Sequence, residues 1–150
     1  MANGSSERGP RRSQMTLLFY DGVCGLCDRF VRFLLTRDPA GQIRFAQLQG
    51  ALARRELAPH GHDPADLNSV FVIADWQSPR QRVLARSRAV LHAVGCLGGV
   101  WGLLARIARV VPEVLADLAY AFIARRRYRL FGRFDSCPLP RPEWRNRFLD

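Results

Sequence analysis

The sequence predicts an α/β fold: a four-stranded mixed sheet flanked by helices, with a C-terminal helical extension. Three observations predict it. Short apolar runs at residues 16–20, 42–47 and 69–74 lack helical periodicity and alternate with segments whose apolar residues recur at helical spacing. The run 69–74, SVFVIA, is almost continuously apolar, as expected for a central strand buried on both faces. Beyond about residue 96 the strand-like runs stop and only helical patterns follow.

Residues 1–14, MANGSSERGPRRSQ, are polar and have no apolar core, so they read as a disordered leader. Arg11 and Arg12 precede an apolar run that meets Asp21 too soon to serve as the apolar region of an export signal. TLLFY (16–20) is the first strand. Leu26, Phe30, Phe33 and Leu34 then follow i, i+4, i+7, i+8 spacing and predict an amphipathic helix packed by that face. QIRFAQ (42–47) is the second strand, and 49–57 is a short helix closed by Pro59. After the loop HGHDPADLN comes the central strand, and a turn from Trp76 to Arg80 leads into a short strand at 83–85.

Ser87 is positioned to cap a helix with Val90, Leu91 and Val94 on one face. Gly98 and Gly99 separate it from a helix at 100–110. Pro112 fits the first turn of a last helix carrying Val114, Leu115, Leu118, Phe122 and Ile123. The helices at 100–124 are expected to pack onto the domain, the alternative being that they rest on a membrane surface by an apolar face and arginines. The order β-α-β-α-β-β-α is the thioredoxin-like arrangement. Residues 15–150 read as one such domain, of which about 96–150 form the helical extension.

Composition narrows the function. A chain of 150 residues buries roughly 68–70% of its unfolded surface, so its four cysteines are not needed as staples. No uninterrupted apolar stretch of about 18 residues exists: 89–105 is broken by His92 and by glycines at 95, 98, 99 and 102. A transmembrane segment is not expected, and the reading is cytoplasmic, where a CxxC pair is catalytic or metal-binding in preference to structural. The net charge of +10 comes from arginine alone, since the chain has no lysine. Those arginines are spread along the whole length without a recognition motif, so no specific nucleic-acid partner is expected.

Cys24 and Cys27 carry the chemistry. The bare spacing is a weak signal, but here it falls between a strand and a helix. At a helix N-terminus, unpaired N–H groups and the positive end of the dipole stabilise an anion at the first cysteine. Its pKa can fall from about 8.5 into the range of about 3.5–7.5, and the thiolate is the species that attacks disulfides. Cys24, expected to be the more exposed, is the nucleophile, and Cys27, one turn along and pointing inward, resolves the mixed disulfide. Asp21 either accepts a proton from Cys27 or hydrogen-bonds the backbone of the turn. His60, His62 and Asp63 lack a second CxxC or an HxxxH, so no metal site is expected. Cys96 reads as a small core residue.

The blocks YDGVCGLCDRFVRFLL and ARRRYRLFGRFDSC resemble the DCC family of thiol-disulfide oxidoreductases, small bacterial proteins named for an Asp-Cys-Cys signature. The likeness runs from about Thr16 to the C-terminus, and 87–91 resembles the helix start that follows the family's last strand. The resemblance implies a thioredoxin-like fold and dithiol chemistry. It maps the signature onto Asp21, Cys24 and Cys27, with the YRLFGR block and Cys137 as a second element and Cys137 as a possible third thiol. Two positions depart from expectation. Thioredoxins place a cis-proline directly before the third strand, whereas here the nearest proline is Pro64; and Arg88 stands where an acidic or neutral residue is expected.

Arg125, Arg126, Arg127, Tyr128 and Arg129 read as a solvated helix end or, more sharply, as a basic wall near Cys24 or a docking surface for an acidic partner. The expected activity is that of a protein-disulfide-reductase type of thiol-disulfide oxidoreductase. It would act on a disulfide-containing protein or small molecule, be reset by an external thiol reductant, and need no bound cofactor. The alternative is a non-catalytic thioredoxin-like module that binds a metal or protein partner through its Arg/aromatic C-terminal tail.

Overall fold

Strand β1 (Thr16–Tyr20) is the centre of the sheet because TLLFY places apolar side chains on both faces, and all five residues are buried. The computed structural model describes residues 15–38, 41–62, 70–132 and 142–149; the leader at 1–14, Asp63, Pro64 and Cys137 lie outside them. β1 pairs parallel with β2 (Ile43–Gln47), Leu18 opposite Phe45, and antiparallel with β3 (Phe71–Ala74), Leu18 opposite Val72. β3 pairs antiparallel with β4 (Arg82–Ala85), giving a four-stranded mixed sheet in the order β2-β1-β3-β4. This is the predicted thioredoxin-like sheet.

Alternation along β1 divides the core in two. Leu18 and Tyr20, with Phe45 and Val72, pack against α1 (Gly25–Arg37) and α3 (Ser87–Gly95). Leu17 and Phe19, with Phe71 and Ile73, pack against α2 (Ala51–Leu57), which runs on into a 3-10 turn at Ala58–His60. Leu17, Leu18 and Phe19 have no exposed surface. Each such side chain contributes about 1.5–3 kcal/mol on burial. The sheet therefore holds the β1–α1 turn rigidly from beneath.

The apolar stripe of α1 is rotated from its predicted position. The buried face is Cys27, Val31, Leu34 and Leu35, while Leu26, Phe30 and Phe33 are only partly buried along its flank. The sheet claims the first stripe, and the helical extension meets the second. Phe33, for example, contacts Trp101 of α4 (Gly99–Ala108) edge-on at 4.8 Å.

One further expectation is corrected, and another is refined. Ser87 does not cap α3; it is the first helical residue, the cap position belongs to Arg86, and the Ser87 hydroxyl bonds Asp117 instead. Helices α4 and α5 (Glu113–Phe131) pack against α3 and α1, as expected, but many of their apolar residues face away from the domain. Leu103, Ile107, Val114, Leu118 and Phe122 are all more than half exposed. What α5 turns toward the sheet is the stripe Asp117, Tyr120, Ala124, Arg127, spaced i, i+3, i+7, i+10. Its polar members are each bonded: Asp117 to Ser87, the Tyr120 hydroxyl to the Val70 N–H at 2.7 Å, and Arg127 to Asp21 at 3.3 Å. Hydrogen bonds, not apolar area, decide which side of this helix faces inward.

The C-terminal 3-10 turn (Pro142–Arg147) returns to the free edge of β2. Arg147 meets the buried Asp38 carboxylate at 2.6 Å, the Leu149 N–H donates to the Phe45 carbonyl at 2.9 Å, and the Phe148 ring lies 5.5 Å from that of Phe45. No helix among the described residues is long and apolar enough to cross a membrane.

Candidate active site at the first strand-to-helix turn

Four residues connect β1 to α1. The Asp21 carbonyl accepts the Cys24 N–H at 3.2 Å, and its Oδ1 accepts the Val23 N–H at 3.1 Å, so Asp21 folds the turn on itself as Asp does before Gly. At Gly22 a Cβ would stand 2.8 Å from Gln47 Oε1, so a larger side chain there would displace Gln47. Cys24 is the N-cap of α1, with φ −87° and ψ 126°, and its Sγ accepts the Cys27 N–H at 3.4 Å. The cap position normally filled by Ser or Asp is filled by a sulfur. The thiol at the helix start thereby meets donors that favour its anion.

Asp21 organises the surroundings. Its side chain is buried and accepts from four donors: the Val23 N–H and, at 2.8 Å, Gln49 Nε2 on Oδ1; Arg127 Nη2 and the Tyr128 hydroxyl on Oδ2. The Arg127 side chain, 4% exposed, pairs with this carboxylate, as a buried charge requires.

These neighbours separate the two thiols. Cys24 is lowered from its ordinary value to about 6, chiefly because the Cys27 thiol hydrogen-bonds its sulfur; burial opposes this, while the Cys27 N–H and the Arg127 charge add to it. Cys27 is raised, first by that same bond to Cys24 and then by burial. The surroundings thus favour the anion at Cys24 and the protonated thiol at Cys27.

The expected order of exposure is reversed. Cys24 has no exposed surface, and Cys27 is 9% exposed. The end of α5 is tied to this turn by the Gly25 N–H donating to the Gly132 carbonyl at 3.1 Å, and Arg127 pairs with Asp21 beside it.

Of the predicted basic wall, only Arg127 and Tyr128 turn inward to Asp21. Arg125, Arg126 and Arg129 are exposed on the other sides of α5, and Arg126 lies over the Phe122 ring at 3.9 Å. Cys137 falls outside the described residues. Cys96, just past the end of α3, is half-buried with its sulfur 3.6 Å from Thr16 Oγ1, and burial pushes its thiol up. His60 is exposed and His62 rests against the Phe71 ring at 5.1 Å. Among the described residues no group of three or more His, Cys, Asp or Glu could hold a metal ion. Arg88 faces Glu113 at 3.6 Å. No described peptide bond is cis, and Val70 directly precedes β3.

Gln49 was not anticipated. Besides bonding Asp21 it accepts the Gly22 N–H at 3.2 Å. No local pattern marks it; it reaches the turn because β1 and β2 run parallel with Tyr20 opposite Gln47, so the residues after both strands emerge side by side.

Comparison with known proteins agrees with this arrangement. Residues 18–133 match the DCC1-like thiol-disulfide oxidoreductase family. The chain is 36% identical over 145 residues to the uncharacterized protein YuxK of Bacillus subtilis (strain 168), covering 97% of this chain and 98% of that one. It is 32% identical over 123 residues to a DCC family protein of Arabidopsis thaliana described as chloroplastic, covering 82% and 69% respectively. No solved structure matches. With the Asp-Cys-Cys constellation closed by the second block of the resemblance, the chain belongs to the DCC1-like thiol-disulfide oxidoreductase family.

Proposed function

We propose that the protein is a thiol-disulfide oxidoreductase whose working pair is Cys24 and Cys27. The Cys24 thiolate attacks one sulfur of a substrate disulfide; a bond forms between Cys24 and that sulfur, and the other substrate sulfur leaves with the electron pair and takes a proton. Cys27 loses its proton and attacks Cys24, forming the Cys24–Cys27 disulfide and releasing the second substrate sulfur as a thiol. The protein is oxidised by two electrons, the substrate is reduced by two, and an external thiol restores the pair.

The observation that carries this reading is the division of labour between the sulfurs: Cys24 is lowered to about 6 by donors that Cys27 itself supplies, while Cys27 is raised. Asp21 is assigned a positioning role. Its carboxylate is already engaged by four donors, and it is the Asp21 backbone that acts on the Cys27 sulfur. Because Cys24 has no exposed surface, its attack on a substrate requires its surroundings to open.

The test is disulfide-reductase turnover with a dithiothreitol-reset assay. Cys24→Ser should abolish turnover, and Cys27→Ser should accumulate a mixed disulfide at Cys24. The alternative is a non-catalytic module that binds a partner, for which the exposed apolar residues of α4 and α5 offer a surface. It would show no turnover in the unaltered protein and undiminished partner affinity in both cysteine variants.

A further inference from the structure

Beside the dithiol lies a cavity of about 250 Å³ between α1, α3, α5 and the start of β3. Its walls are apolar: Leu26 and Phe30 of α1, Val70, Val90 of α3, and Ile123 and Ala124 of α5. Two other lining residues bear on chemistry. Cys27 is one, and it is the cysteine of the pair that retains exposed surface. Arg127 is the other; its Nη2 is spent on Asp21 and Tyr128, and its Nε has essentially no accessible surface, so the cavity meets no free donor there.

Resting on the redox reading above, we propose that this cavity receives the reductant that resets the pair, and that the reductant is a small thiol with an uncharged, largely apolar body. Size sets the body: an apolar cavity of about 150 Å³ holds benzene, so about 250 Å³ takes one ring with a short substituent. The body is uncharged because the guanidinium charge beside the cavity is already met by the Asp21 carboxylate, whose negative charge would oppose a second anion. A polar thiol with two carboxylates, such as glutathione, gains nothing from these walls.

The cavity also determines which sulfur is attacked. The incoming thiolate reaches Cys27, a bond forms between the two sulfurs, and the Cys24–Cys27 bond breaks with its electron pair leaving on Cys24. That leaving thiolate is received by the Cys27 N–H, and the more acidic thiol leaves faster. A second reductant thiolate then attacks the ligand sulfur of the mixed disulfide, giving a symmetrical small-molecule disulfide and Cys27, which takes a proton. Two thiols are oxidised and one protein disulfide is reduced, so electrons and protons balance. The same pair thus works through two sulfurs, Cys24 reacting with substrate once uncovered and Cys27 with the reductant in the cavity.

The test begins with the full chain oxidised to its Cys24–Cys27 disulfide. Its opening is followed with 4-(mercaptomethyl)benzamide and with glutathione at equal thiolate concentration, with acid quenching and peptide mapping of the adduct. The benzamide thiol should open the disulfide with a saturating rate about tenfold faster than glutathione, and the trapped adduct should sit on Cys27. Ala124→Phe, which fills the cavity, should remove about tenfold of the benzamide rate and leave the glutathione rate within about twofold. Val90→Phe, on another wall, serves the same purpose should the first variant fail to fold. Equal, non-saturating rates, an adduct on Cys24, or indifference to both variants would overturn the cavity's role while leaving the dithiol reading intact. Failure of the Cys24–Cys27 disulfide to form at all would overturn the dithiol reading itself.

Discussion

Arg127 and Asp21 are 106 residues apart in sequence, and their charged atoms are 3.3 Å apart at the floor of the β1–α1 turn. This pair joins the last turns of α5 to the first turn of the sheet domain, so the helical extension completes the dithiol's surroundings. Buried as it is, the pair constrains geometry more than it adds stability, because desolvation offsets most of the attraction.

Removing one partner leaves the other charge buried and alone. Asp21→Ala and Arg127→Leu are each expected to cost about 3–5 kcal/mol. The double variant should cost less than the sum, by about 1–3 kcal/mol, as residues in one network couple. Urea unfolding of the reduced protein measures all three; strict additivity would show that the pair does not act as a unit.

The Cys24 thiolate should appear early in a pH titration. Thiolate absorbance of the reduced protein is expected to rise with a midpoint near 6 and to be lost in Cys24→Ser. Cys27→Ala should move the midpoint up most, since the Cys27 thiol is the main donor to the anion, and Arg127→Leu should move it up by less. A midpoint in the unaltered protein at the ordinary thiol value would contradict the geometry.

The same shift makes stability depend on pH. Cys24 titrates at about 6 when folded and near 9.0 when unfolded, so between those values the unfolded chain binds more protons and stability rises with pH. The contribution is present above the unfolded value and disappears as pH falls through the folded one. Cys27, raised in the fold, works in the opposite sense and begins to oppose it as pH climbs through the ordinary thiol value. Reduced protein should therefore gain stability from pH 6 to 9 in urea melts, and Cys24→Ser should flatten that slope.

Stabilising the thiolate also stabilises the reduced form. The pair should have a midpoint between about −270 mV, where thioredoxin lies, and about −120 mV, where the most oxidising dithiol proteins lie. Equilibration across a dithiothreitol series, with alkylation and mass spectrometry, places it; a value below that span would mean that thiolate stabilisation is not what sets the poise.

A second buried pair, Arg147 and Asp38, secures the C-terminal turn to the edge of β2. Asp38→Ala should cost about 3–5 kcal/mol and free that turn. Hydrogen exchange at the Leu149 N–H, now bonded to the Phe45 carbonyl, should accelerate well before exchange within β1.

The strand-to-helix turn was legible because each of its signals is local: an apolar five-residue run, an Asp-Gly turn, two cysteines one helical turn apart, and helical periodicity after them. The mixed sheet followed from the order of such runs, and the family from two blocks of residues. What stayed hidden was nonlocal. Gln49 meets Asp21 only because two strands run parallel, and Arg127 is singled out from its neighbouring arginines only by the rotation of α5 against the domain.

Local chemistry by itself thus determined the strands, most of the helices, the dithiol and its position at a helix start. Tertiary structure alone decided that Cys24 is fully buried while Cys27 keeps a sliver of exposed surface, that Ser87 bonds Asp117 in place of capping its own helix, and that α5 turns its polar stripe inward while Leu118 and Phe122 face outward. The reason is physical. Hydrophobic periodicity predicts which side of a helix can be buried, but a buried polar group must find its partner, and those partners lie on other elements at sequence distances no short pattern records.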